Sequence, residues 1–169
     1  MTHRVIQKGG VFLKIRWKRL LLCLAVPLGA GGLSALLTMG SMEAFEGLRK
    51  PPLSPPGWLF PVVWTILFLL MGLASYLALE SGGSPREIGR ALRAYGIQLG
   101  ANFVWPLLFF NLGAYLAAFA WLVLLWLLIW AAALRFRRLS AAAAWLLAPY
   151  LLWVAFAGYL NLGIYLLNR

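Results

Sequence analysis

Negative charge is nearly missing from this chain. Its 169 residues include no aspartate and only four glutamates, against 15 lysines and arginines. Histidine and cysteine occur once each, as His3 and Cys23. A single cysteine excludes a disulfide framework or a cysteine metal site within one chain. Cys23 reads instead as a small buried apolar residue. The one histidine stands in the N-terminal tail, so a haem held by intramembrane histidine is excluded, and no metal site is expected. No lysine, arginine, histidine or glutamate falls in the middle of a long apolar run. Ionisable groups at such depth mark proton relays, ion pathways and voltage sensors. Their absence argues against a pump or an ion-coupled transporter. It also argues against general acid–base catalysis, and no catalytic residue is expected. Alternating apolar and polar residues are lacking too, which disfavours a barrel.

What the chain does have is hydrocarbon. Hydrophobic residues make up 63% of it and nine are tryptophan, where a soluble domain is roughly 45–50% apolar. The net charge of +11 does not point to nucleic acid, because the basic residues lie between apolar runs, as in membrane proteins. A spanning helix needs about 20 mostly apolar residues. Five runs qualify, at about 20–39, 58–79, 92–110, 115–134 and 141–167, the third being the least apolar. These predict an all-α, five-helix transmembrane bundle over 20–169, behind a basic tail at 1–19. No A-x-A-like cleavage site follows the first run, which reads as a retained helix. The tail is basic and free of acid, as organelle transit peptides are, but poor in serine, so either a bacterial or an organellar membrane fits. Asn111-Leu112-Gly113 makes the third and fourth helices a tight antiparallel hairpin.

Lysine and arginine set the orientation. With the N-terminus inside, the inner segments carry Arg4, Lys8, Lys14, Arg16, Lys18, Arg19, Arg86, Arg90, Arg93, Arg135, Arg137 and Arg138. The outer segments carry only Arg49, Lys50 and Arg169. The C-terminus and the loop at 49–58 are therefore expected outside.

Helical spacing gathers the remaining functional groups into stripes. Gln98, Asn102, Trp105 and Phe109 share one face of the third helix. Trp153, Phe156, Ala157, Leu160 and Asn161 share one of the fifth, and Trp64, Phe68, Met71 and Ser75 one of the second. Such stripes serve packing in most bundles, but an unpaired asparagine in hydrocarbon is costly, so Asn102 and Asn161 are expected to face inward. Trp105, Leu160, Asn161 and the start of the second helix at Trp58 converge at one depth, under the loop. That loop, RKPPLSPPGW, contains Pro51, Pro52, Pro55 and Pro56. Each ring fixes its own φ and restricts the residue before it. A stiffened loop over an aromatic cavity suits a lid in which Trp58 touches the ligand; a rigid connector is the other reading. On the first helix, Ala25 with Gly29, and Gly31 with Ala35, permit close backbone approach.

Three segments, LRKPPLSPPGWLFPVVWTILFLLMG (48–72), QLGANFVWPLLFF (98–110) and PYLLWVAFAGYLNLGIYLLN (149–168), stand in one order. Together the chain resembles the translocator protein family, also called tryptophan-rich sensory protein or TspO, over about 43–168. The resemblance implies a five-helix bundle, a homodimer, and binding of tetrapyrroles and, in eukaryotic members, cholesterol and drug ligands. Carried over, the pocket positions are Trp58, Asn102, Trp105, Trp153, Ala157 and Leu160, with Asn161 beside them. The chain departs from the family pattern at Ala44-Phe45, at Phe68 and near Ala117. Leu162, Tyr165 and Arg169 (or Leu160 in place of Leu162) fit a weak sterol pattern. The leading expectation is a receptor for flat hydrophobic ligands, porphyrin or haem foremost and sterols second, with a transport or sensing role and no required cofactor. Light-dependent porphyrin degradation and a ligand-free structural bundle are the alternatives.

Overall fold

The computed structural model describes residues 15–41 and 45–169. Most of the basic tail, and Ala44, lie outside them. Every regular element among the described residues is helical. Helix α1 is Trp17–Thr38, closed by a 3₁₀ turn at Met39–Ser41. α2 is Leu59–Leu79, α3 is Pro85–Pro106, α4 is Tyr115–Leu139, α5 is the short Ala141–Trp145, and α6 is Ala148–Leu167. Four segments are long and apolar enough to cross a membrane: Trp17–Ser41, Leu59–Leu79, Tyr115–Leu139 and Ala141–Leu167.

α3 is long enough, at 22 residues, but its first turns hold Arg86, Arg90 and Arg93. It begins seven residues before the apolar run because Ser84 and Glu87 form a reciprocal capping box, with Pro85 in the first turn. The Ser84 hydroxyl and backbone N–H hold the Glu87 carboxyl below the usual carboxylate range, at 2.7 and 3.2 Å. Both partners satisfy donors that the first turn of any helix leaves orphaned. At its other end Pro106 lacks the N–H that would continue the ladder. The chain widens there into a π-helical turn, Leu107–Asn111, with the Leu112 N–H donating to Leu107 O at 3.1 Å. Gly113, at φ +59°, then reverses the chain into α4, giving the hairpin expected from the sequence. Asn111 turns back to α1, donating to Leu37 O at 3.0 Å and accepting from the Ser41 hydroxyl at 2.9 Å.

The fifth apolar run is not one helix. It breaks after Trp145, the Ser140 hydroxyl capping the short α5 through the Ala143 N–H, and Pro149 enters the first turn of α6.

The core lies where α2, α3, α4 and α6 meet, around Met71, Leu122, Leu125, Ile129, Phe136 and Tyr150, all fully buried. α1 is different. It buries only Pro27, Ser34 and Thr38 and turns Leu21, Leu22, Leu33, Leu36 and Leu37 outward. It reaches α2 by glycine. A Cβ at Gly72 would stand 2.8 Å from Cys23 O and from Leu24 Cα, and one at Gly31 would run into the Phe68 ring. Gly31, one of the small residues noted on α1, thus serves packing inside the bundle.

Two ends result. Arg16 and Arg19 at the start of α1 pair with Glu80 at the end of α2, at 3.4 and 2.9 Å. The starts of α3 and α5 and the end of α4 share that end. The proline loop, the π turn and the C-terminus form the other.

Candidate ligand cavity

A cavity of about 500 Å³ opens at the loop end, walled by α1, α2, α3, α6 and the loop itself. The helical period decides which side chains enter it. α2 contributes Phe60, Pro61, Trp64 and Phe68, α3 contributes Asn102, Trp105 and Pro106, and the π turn contributes Phe109 and Phe110. α6 contributes Ala157, Leu160, Asn161 and Ile164, while α1 lends Gly31, Ser34, Ala35 and Thr38 among others. Trp64 stacks on Phe68 with ring centres 5.6 Å apart, and Trp105 on Phe109 at 5.3 Å. Phe45 meets Phe109 and Phe110 edge-on. The surroundings are apolar and aromatic, with few polar atoms.

Those few are mostly committed. The Trp105 indole N–H donates to Asn161 Oδ1 at 3.3 Å, and Asn161 Nδ2 donates to Tyr115 O at 2.8 Å. One amide thereby ties α3, α6 and the start of α4 together. Asn102 Nδ2 donates to the Tyr150 hydroxyl at 2.7 Å. Ser34 donates to Phe103 O at 3.3 Å and Thr38 to Ser34 O at 3.0 Å. One turn below Asn102, Gln98 is fully buried with neither amide atom hydrogen-bonded. Among the described residues the one charged side chain in the wall is Lys50, its ammonium 4.8 Å from the centre of the Phe45 ring.

The loop borders the cavity through Lys50, Ser54, Pro55 and Gly57 and is fastened to the later turns of α6. Asn168 clamps Arg49 from both sides, accepting from its N–H and donating to its carbonyl, each at 2.9 Å. Tyr159 donates to Pro52 O at 2.9 Å. Pro51 is buried against Gly163, where an added Cβ would come within 2.7 Å of the ring. Leu53 sits at φ +64°, a conformation costly for a leucine. The prolines, the clamp and this strained residue together fix one loop shape.

Of the seven pocket residues drawn from the sequence, the cavity brings together five: Asn102, Trp105, Ala157, Leu160 and Asn161. Trp58 and Trp153 do not line it. Trp58 caps α2 and is 66% exposed. Trp153 is one turn below Ala157 and packs edge-on against Phe60, with ring centres 5.9 Å apart. Of the lid prolines only Pro55 touches the cavity. Leu162 lies in a separate groove of about 250 Å³ between α4 and α6, and neither Tyr165 nor Arg169 lines either space. Lys50 and the hydroxyls of α1 were not singled out from the sequence. The lysine's place directly before the prolines was the signal available.

An apolar chain of several membrane-length helices around an aromatic cavity defines a multi-pass membrane protein. The chain belongs to the TspO/MBR family, whose model matches residues 23–167. It is similar to tryptophan-rich protein TspO of Chlorobaculum tepidum, 43% identical over 87% of this chain and 91% of that one. It is also similar to the translocator protein of Ovis aries, 42% identical over 69% and 70%, and to protein CrtK of Rhodobacter capsulatus, 34% identical over 82% and 86%.

Proposed function

We propose that the protein is a membrane receptor for flat hydrophobic ligands carrying an acidic edge, porphyrin or haem foremost and sterols second, with a role in sensing or transport. The observation that carries this reading is the pairing of two stacked aromatic walls, Trp64–Phe68 and Trp105–Phe109, with a cation, Lys50, in the loop wall. Flat macrocycles gain from such walls by offset stacking, and the volume is that of a small-molecule site. Lys50 is where a propionate would sit. The fixed loop lowers the ordering cost of binding, as a preset wall does. Self-association as a homodimer belongs to the same reading.

The test is quenching of tryptophan fluorescence by a dicarboxylic porphyrin and by its dimethyl ester. Saturable quenching by both is expected. Trp105→Ala should weaken both by about 1–3 kcal/mol, the range for one aromatic stacking partner. Lys50→Met should weaken the free acid by about 1 kcal/mol or less, as befits an exposed charge pair, and leave the ester unchanged. Binding that ignores both substitutions would place the ligand elsewhere.

In the membrane this reading has five crossings, with the arginine-rich end in the cytoplasm. A reporter fused after Arg169 should be extracytoplasmic and one inserted at Arg137 cytoplasmic. The opposite pattern would invert the cavity relative to the cell.

A further inference from the structure

The end of the bundle opposite the cavity holds more positive charge than the chain can balance. Arg86, Arg90 and Arg93 follow one another at spacings of four and three along one face of α3. Arg135, Arg137 and Arg138 close α4. The two groups adjoin: Gly83, just before α3, packs on Leu139, and Glu87 feels the charge of both Arg90 and Arg138. All six arginines are exposed. The whole chain has four carboxylate side chains. Glu80 is taken by Arg16 and Arg19, and Glu46 lies between α1 and α2, at the other end. Among the described residues Glu87 is then the one carboxylate beside six arginines, so most of their counter-charge comes from outside the described part of the chain.

The surroundings say what kind. On the next turns toward the middle of the bundle, exposed apolar side chains follow directly, Ile97 on α3 and Trp130 and Leu134 on α4. A molecule that meets both surfaces has an anionic group joined to hydrocarbon. Guanidinium forks suit phosphate oxygens, which they bind in pairs. A water-soluble polyanion would use the arginines and leave the apolar turns unmet. We infer that the joined ends of α3 and α4 bind anionic phospholipid, phosphate on the arginines and acyl chains along Ile97, Trp130 and Leu134. This site is separate from the cavity and does not depend on what the cavity binds.

The experiment uses the full chain, delipidated in a mild neutral detergent and titrated with phosphatidylglycerol or phosphatidylcholine while its unfolding midpoint is followed. Phosphatidylglycerol should raise the midpoint well above the effect of phosphatidylcholine, and added salt should shrink the difference. Changing Arg86, Arg90 and Arg93 together to glutamine should raise the half-saturating phosphatidylglycerol concentration roughly a hundredfold, about 1 kcal/mol per arginine, with phosphatidylcholine unaffected. If that variant does not fold, native mass spectrometry of the parent decides: anionic lipid retained in preference to zwitterionic supports the site, and equal retention overturns it. Equal midpoints with the two lipids would also overturn it. So would inorganic phosphate matching phosphatidylglycerol, since hydrocarbon would then contribute nothing.

Discussion

Asn161→Leu is expected to lower the stability of the bundle by about 2–3 kcal/mol and to remove ligand binding with it. The asparagine is almost fully buried and serves two partners, the Trp105 N–H and the Tyr115 carbonyl. Leucine fills the volume but answers neither. A buried polar group stripped of its partner costs about 1–3 kcal/mol. Hydrogen bonds between membrane helices average nearer 0.6 kcal/mol, because the unfolded segments find other partners in the bilayer. Two groups orphaned together at a junction of three helices add to roughly the stated loss. Trp105 would be free to rotate, so its stacking on Phe109 and one wall of the cavity go as well. Thermal unfolding in detergent, followed by the porphyrin titration, measures both. An unchanged midpoint with intact binding would mean that the Trp105–Asn161–Tyr115 link carries no weight.

Gly72→Val should be worse. The atoms that a Cβ at Gly72 would strike are Cys23 O and Leu24 Cα, backbone of α1 that no rotamer change can move aside. Overpacking typically costs about 1–3 kcal/mol; here two whole helices must separate, so a loss at or above the top of that range is expected, even for alanine. The shift also opens the cavity wall between α1 and α2, since Phe68, one turn of α2 away, meets Gly31 on the same seam. Gly96→Ala is the control. Nothing stands within 4 Å of its added Cβ, and alanine gains about 1 kcal/mol of helix propensity over glycine. A Gly72→Val protein as stable as the parent would show that α1 is not seated on α2.

Much of this was legible in the sequence because the membrane imposes length and polarity on each helix. The apolar runs located α1, α2 and α4 to within about five residues, the fifth run covered α5 and α6 without showing the break between them, and the stripes on α3 and α6 placed Asn102, Trp105, Ala157, Leu160 and Asn161 on inward faces. α3 was read as starting at 92 because its arginines ended the apolar run, although Ser84-Pro85-Arg86-Glu87 is the sequence of a helix start. Trp58 stands outside the wall as the exposed residue that caps α2, and Trp153 stands behind the wall, against Phe60, which lines it; neither position follows from the helical stripes. The fixing of the loop by α6 was not legible at all. Tyr159, Gly163 and Asn168 carry no mark that they will meet Pro52, Pro51 and Arg49 more than a hundred residues away.

That last distance has a consequence in time. The Arg49–Asn168 clamp joins residues 119 positions apart. During synthesis the proline loop leaves the ribosome when α3 to α6 do not yet exist, and Asn168 is added 119 residues after Arg49. This wall of the cavity therefore closes only once α6 has been made and has emerged. Shorter nascent chains lack the completed site, and a ligand supplied to them can act only later, by trapping the loop against α6.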